Sequence, residues 1–119
     1  MTTPMHIVER RIAGVTILRL SGRLELGGGD CVLRDQVNQL VEQGRLHLVI
    51  DMTDVTRLDS AGIGMLVSKF MTVKTRGGSM KLLHLTARTS RLLHLTRLAT
   101  VFETFDDEDT AVQSFGAAD

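Results

Sequence analysis

Two adjoining stretches constrain this chain more than anything else in it: Leu46-His47-Leu48-Val49-Ile50-Asp51-Met52 and Leu58-Asp59-Ser60-Ala61-Gly62-Ile63-Gly64-Met65-Leu66-Val67. Leu48, Val49 and Ile50 are consecutive and rich in β-branching, the pattern of a buried strand. A short polar connection, Thr53 to Leu58, is expected to end it. Beyond that, Ile63, Leu66, Val67 and Phe70 recur at i, i+3, i+4 and i+7, one apolar face of a helix. Asp59 and Ser60 fall where such a helix needs an N-cap, because side-chain oxygens there satisfy orphan backbone N–H groups. A serine hydroxyl is thereby set at a helix start, just past the carboxyl end of a strand.

A helix start carries unpaired N–H donors and roughly half a positive charge, so it welcomes an anion. Phosphorylation of Ser60 would add a charge of about −1.5 to −2 there, favoured by roughly 0.3–1 kcal/mol. On spacing alone the plainer reading of Ser60 is a cap or first-turn residue with no further role.

The remaining elements follow in order. Residues 5–12 and 15–21 read as strands around Ala13-Gly14, a tight hairpin. Val15, Ile17, Leu18 and Leu20 make the second strand apolar on both faces, as a central strand requires. Ser21 to Glu25 is expected to leave it, and Leu26 to Asp30 to form a loop. Gly27-Gly28-Gly29 has no following lysine and no phosphate-loop pattern; its glycines are expected to supply permissive dihedrals, and Asp30 to cap a helix running to about Gln43. Leu33, Val37, Leu40 and Val41 give that helix its apolar face, and Gly44 stops it. The Ser60 helix extends to about Thr75 and is stopped by Arg76-Gly77-Gly78. Met80 to Leu85 reads as a strand, Ala87 to Leu95 as a helix and Val101 to Phe105 as a last strand. Asp106 or Asp107 suits the cap of a terminal helix through Phe115, with Glu108 and Asp109 in its first turn. Strands alternating with helices imply crossovers and a largely parallel sheet. Leu-Leu-His-Leu-Thr occurs at 82–86 and 92–96, once as strand and once as helix, so it is no structural repeat.

Composition excludes several functions. At 119 residues the chain suits one domain. Fourteen basic residues balance fourteen acidic ones, and aromatic content is 3%, all Phe; both features argue against nucleic acid. Cys31 stands alone, which leaves no internal disulfide and no cysteine-based metal cluster. His6, His47, His84 and His94 show no metal-ligand spacing. Ser60 lacks the glycine two positions earlier that a nucleophile elbow needs, since Leu58 is there, and no histidine stands in an obvious relation to it as a base. Asp51 and Asp59 define no reaction by themselves. A binding module is expected rather than an enzyme, with no cofactor. The N-terminus has no signal-peptide pattern and no apolar run is long enough for a membrane span, so a cytoplasmic location is expected.

The run from Val49 to Leu66 resembles the central motif of STAS domains and, more closely, of bacterial anti-sigma factor antagonists. In that family an aspartate, a phosphorylatable serine, a small residue and a glycine precede an aliphatic residue and another glycine; here they are Asp59, Ser60, Ala61, Gly62, Ile63 and Gly64. The similarity runs from Ser21-Gly22 through the Gly77-Gly78 turn to the last helix. It implies an α/β STAS-like fold over residues 1–119, with a mixed, mostly parallel sheet of about five strands, about four helices and an N-terminal antiparallel hairpin. It further implies a transcription regulator working by partner switching. Unphosphorylated, such a protein binds an anti-sigma factor that is also a serine kinase; phosphorylated at Ser60, it releases it, and a serine phosphatase resets the switch. Ser60 is then the phosphoacceptor, with Asp59, Ala61, Gly62, Ile63, Gly64, Glu25 and Asp51 on the partner surface. Gly62 and Gly64 match glycines whose missing side chains let a partner reach the hydroxyl, and Asp51 matches a polar position that closes the central strand. Two departures stand out: Ala61 replaces a frequent second hydroxyl, and Glu25, followed by the three glycines, replaces a common aspartate. The alternative within the same resemblance is a docking subunit of a membrane transporter or stress-signalling assembly, with Ser60 never modified. Met65 and Met71 on the Ser60 helix suit docking in either case.

Overall fold

The computed structural model describes residues 5–116. Strands β1 (His6–Ile12) and β2 (Val15–Leu24) form the expected antiparallel hairpin. Its turn residues, Ala13 and Gly14, have φ of 52° and 80°, the left-handed pair that a two-residue hairpin turn prefers. Helix α1 (Gly29–Glu42) crosses to β3 (His47–Leu58), and α2 (Ser60–Thr75) crosses to β4 (Ser79–Leu83). Then α3 (Ala87–Leu95), β5 (Thr104–Phe105) and α4 (Glu108–Gln113) complete the fold. The strands lie in the order β1-β2-β3-β4-β5, and every pairing after the hairpin is parallel. This is the mixed five-stranded sheet with four helices that the patterning predicts.

Alternation along the central strands divides the core between two faces. Leu18, Leu20, Leu48, Ile50, Met52 and Leu82 meet Leu33, Val37, Leu40, Leu66 and Val73 from α1 and α2, and Leu93 with Phe102 closes that side. On the opposite face Val15, Ile17, Val49 and Leu83 pack on Ala111 of α4, flanked by Phe105 and Phe115. Helix α2 is turned slightly from its predicted face. Ile63, Leu66 and Val73 are buried along with Lys69, while Val67 and Phe70 are half-buried. The Lys69 ammonium donates to Asn38 Oδ1 on α1 (2.7 Å), which satisfies one of its three N–H donors.

Several predicted boundaries change, the most consequential at β3. The segment Thr53 to Leu58 is strand rather than connection, and β2 continues to Leu24 beside it. From Arg19↔Asp51 to Ser21↔Asp54, β2 advances two residues and β3 three; from Gly22↔Val55 to Arg23↔Arg57, β2 advances one and β3 two. Such irregularities shift the inward and outward alternation, so a period-2 reading of the sequence loses the strand there. Asp51 therefore does not close the strand. Its Oδ1 accepts from Thr53 N (3.0 Å) and Thr53 Oγ1 (2.6 Å), holding the first bulge.

The other changes are smaller. Strand β4 stops at Leu83, not Leu85, because His84 takes a φ of 56°. Strand β5 is two residues long rather than running from Val101. Asp30 is not the cap of α1: the N-cap is Gly28, without a side-chain bond, and Asp30 lies inside the first turn, accepting from Gly28 N and Cys31 N. Of the two candidates for the last helix, Asp107 is the cap, accepting from Thr110 N (2.9 Å).

The short α4 is tied to the sheet by Lys81, whose side chain is buried on β4. Its Nζ donates to Ser114 O (3.1 Å) and Ser114 Oγ (2.9 Å), pairs with Glu103 (2.8 Å) and lies 4.4 Å from the centre of the Phe115 ring. Removing Lys81 forfeits these charge-assisted hydrogen bonds and the packing of its buried stem, together about 1–3 kcal/mol. Lys81→Ala is therefore expected to lower stability to urea by about that amount. In hydrogen exchange its α4 amides should lose protection more than those of α2.

Candidate functional site

Beyond Asp51 the two strand neighbours of β3 part company. Strand β4 pairs with β3 only over His47–Asp51, whereas β2 follows it to Leu58. The β2–β3 ribbon thus projects past the rest of the sheet, and α2 begins at its tip. Asp59 caps that helix with backbone at φ −109° and ψ −177°, the extended geometry a cap needs. Its Oδ1 accepts from Gly62 N at 2.8 Å, the third residue of the helix. Its Oδ2 accepts from Leu26 N at 3.0 Å, in the loop after β2. One carboxylate thereby joins two chain segments. Backbone N–H donation from Leu26, and next from Gly62, holds Asp59 below the usual carboxylate range, outweighing the opposite pull of burial.

Ser60 is the first residue of α2, and its side chain is exposed to solvent. The hydroxyl is not sealed in the core. Gly62 is buried for a reason internal to the chain. A Cβ there would stand 2.1 Å from the Leu24 carbonyl oxygen, so the end of β2 packs against bare helix backbone. Gly29 has the same relation to the Arg23 carbonyl oxygen, at 2.0 Å. Gly64 is the opposite case: it is exposed, and a Cβ on it would meet nothing within 4 Å. Glycine inside a helix costs about 1 kcal/mol relative to alanine, and nothing within this chain requires it at position 64.

Glu25 joins the site from the β2 side, accepting from Arg57 Nε at 3.1 Å. Asp59, Ala61 and Glu25 are partly buried, and Ile63 is buried in the core. Asp51 does not join them. It is buried, it shares the parity of Val49 and so points to the α4 face, and Leu58 lies about 23 Å further along the strand at ~3.3 Å per residue. Met71 is exposed and Met65 partly buried, on the same helix. Among the described residues no three His, Cys, Asp or Glu side chains come together as a metal site, and no helix is long and apolar enough to cross a membrane.

Sequence reasoning missed the opposite wall of the site. A groove of about 400 Å³ separates the end of β3 from α3, lined by Val55, Arg57, Asp59, Arg88, Arg91 and Leu95 among others. No local signal marks it, because its walls are about thirty residues apart in the chain.

A mixed sheet that presents a capped, hydroxyl-bearing helix start at one end defines a small domain of the α/β class. The chain belongs to the STAS domain family, which it matches over residues 6–111. It is 39% identical over 82 residues to the anti-sigma-B factor antagonist of Bacillus subtilis, covering 69% of this chain and 74% of that protein. In structure it resembles an anti-sigma factor antagonist from Mycobacterium paratuberculosis (TM-score 0.83, 22% identity, 97% of this chain and 98% of that one). It also resembles the Bacillus cell-fate determinant SpoIIAA in its phosphorylated form (TM-score 0.72, 15% identity, 92% of this chain and 98% of that one).

The two glycines are expected to separate in their response to alanine. Gly62→Ala should destabilise the protein by about 1–3 kcal/mol, since the obstructing atom is backbone. Gly64→Ala should leave urea stability unchanged or raise it by about 0.5–1 kcal/mol. Asp59→Ala should cost about 0.5–2 kcal/mol at neutral pH. Because the folded state depresses the Asp59 pKa, its contribution is present above the unfolded carboxylate value near 3.9 and lost as pH falls through the folded value. The stability gap between wild type and Asp59→Ala is therefore expected to close only below about pH 4, measured by urea titration across pH.

Proposed function

We propose that this protein is an anti-sigma factor antagonist switched by phosphorylation of Ser60. The observation that carries the reading is the solvent-exposed hydroxyl on the first residue of α2, outside the packing that holds the fold together. The names of its relatives support the same partner class, an anti-sigma factor. In this reading the unphosphorylated protein binds an anti-sigma factor that is also a serine kinase, and a serine phosphatase restores that form. ATP and its magnesium belong to the kinase, and this chain acts as a binding module rather than an enzyme.

The switch needs no refolding. A phosphate at the start of α2 meets the positive end of the helix dipole, so the fold tolerates it. The same double charge driven into a contact surface is opposed by desolvation and repulsion, at about 2–5 kcal/mol. At 1.4 kcal/mol per decade, that weakens binding roughly thirty-fold to several-thousand-fold. Asp59 keeps the hydroxyl at the tip of the β2–β3 ribbon, and the bare backbone at Gly64 leaves a kinase active site room to approach it. Ala61 supplies no competing acceptor.

The test is to incubate the protein with its candidate anti-sigma kinase and ATP and to map phosphate by mass spectrometry. Phosphate is expected on Ser60 and lost in Ser60→Ala, with Ser60→Asp binding the kinase at least about tenfold more weakly. Normal phosphorylation of Ser60→Ala would refute the assignment. Gly64→Leu, folded as stably as wild type, should slow phosphorylation.

A further inference from the structure

The groove beside Ser60 has a floor that is paired along one edge only. Strand β3 pairs with β4 only as far as Asp51, and Val55–Leu58 have β2 on one side and the groove on the other. The main chain of these residues therefore presents a free strand edge about 13 Å long, at ~3.3 Å per residue. The facing wall is α3, which contributes Arg88, Arg91, Leu92 and Leu95.

Charge selects the occupant. Five charged side chains line the groove: Arg57, Arg88 and Arg91 against Glu25 and Asp59. Both carboxylates are already engaged, Glu25 by Arg57 and Asp59 by the N–H groups of Leu26 and Gly62. Arg88 and Arg91 make no ion pair among the described residues and are exposed. An otherwise neutral protein thus leaves two unpaired guanidinium groups facing a bare strand edge. Leu95, 73% exposed, adds an apolar contact at the same wall.

The geometry points to β-strand addition: an extended, acidic segment of a partner protein pairs with the free edge of β3 at Val55–Leu58. Its carboxylates lie against Arg88 and Arg91, and an aliphatic side chain packs on Leu92 and Leu95. Main-chain hydrogen bonds to an edge strand supply affinity, and the side-chain wall supplies selectivity. A bare phosphate compound satisfies the arginines but leaves the strand edge unused. This inference does not rest on phosphorylation of Ser60; it concerns the wall next to it and stands or falls separately.

The test uses the whole 119-residue protein. The probe is a fluorescein-labelled peptide alternating Glu and Asp with Leu and Val, compared with the same peptide carrying Lys for each acid and with inorganic polyphosphate. The acidic peptide is expected to shift the amide resonances of Val55 to Leu58 and of α3, and to slow hydrogen exchange along that edge. Arg88→Glu with Arg91→Glu should weaken its binding at least about tenfold while the melting temperature stays unchanged, and Arg91→Gln should give a smaller loss. Equal binding of the Lys peptide, displacement by polyphosphate without edge protection, or no binding of the acidic peptide would each overturn the proposal. If the groove fails while Ser60 is still phosphorylated, the switch survives without it; if Ser60 is never modified, edge pairing remains measurable.

Discussion

The Asp59 carboxylate is the joint on which the functional end of this molecule depends. It accepts one N–H from the first turn of α2 and another from the loop after β2, and so ties the end of one central strand to the helix that follows the next. Neither bond is strong alone, about 1.5–3 kcal/mol for a charged acceptor before the cost of desolvation. Their shared acceptor makes them act together. Freeing the Gly62 donor would leave a buried N–H without its partner, and freeing that of Leu26 would let the exposed loop drift from the helix.

Around that joint the steric requirement is as strict as the electrostatic one. The end of β2 approaches α2 so closely that its Leu24 carbonyl occupies the space of a side chain at Gly62, and the Arg23 carbonyl does the same at Gly29 on α1. Two helix starts thus converge on one strand end through bare backbone. The glycines of the motif consequently divide by role. Gly62 serves the fold, whereas Gly64 answers no internal demand and leaves the surface beside Ser60 open.

Much of this was legible in the chain. The Ala13-Gly14 hairpin, the helix from Ser60 to Thr75 and the helix from Ala87 to Leu95 follow from local chemistry, and the structure places them within a residue or so. Asp59 as cap follows from the same local rules, and the Asp59-to-Gly64 pattern points to the STAS family that the match over residues 6–111 shows. The failures share a cause. Thr53 to Leu58 read as a connection because two bulges shift the strand's alternation, and Asp51 read as a strand end because its bond to Thr53 shapes one of those bulges. Asp30 read as a cap because the residue that precedes α1, Gly28, has no side chain to announce itself.

The sequence alone determined where helices begin, which strands are buried and that a hydroxyl stands at a helix start, since each depends on residues within one or two turns of one another. Tertiary structure decided which oxygen joins which loop, why Gly62 but not Gly64 must be bare, and that Arg88 and Arg91 share a groove with a stretch of β3 that β4 does not reach. These relations link segments about thirty to forty residues apart, and no local propensity encodes them. They arise only when the sheet closes and sets the ends of its parallel strands side by side.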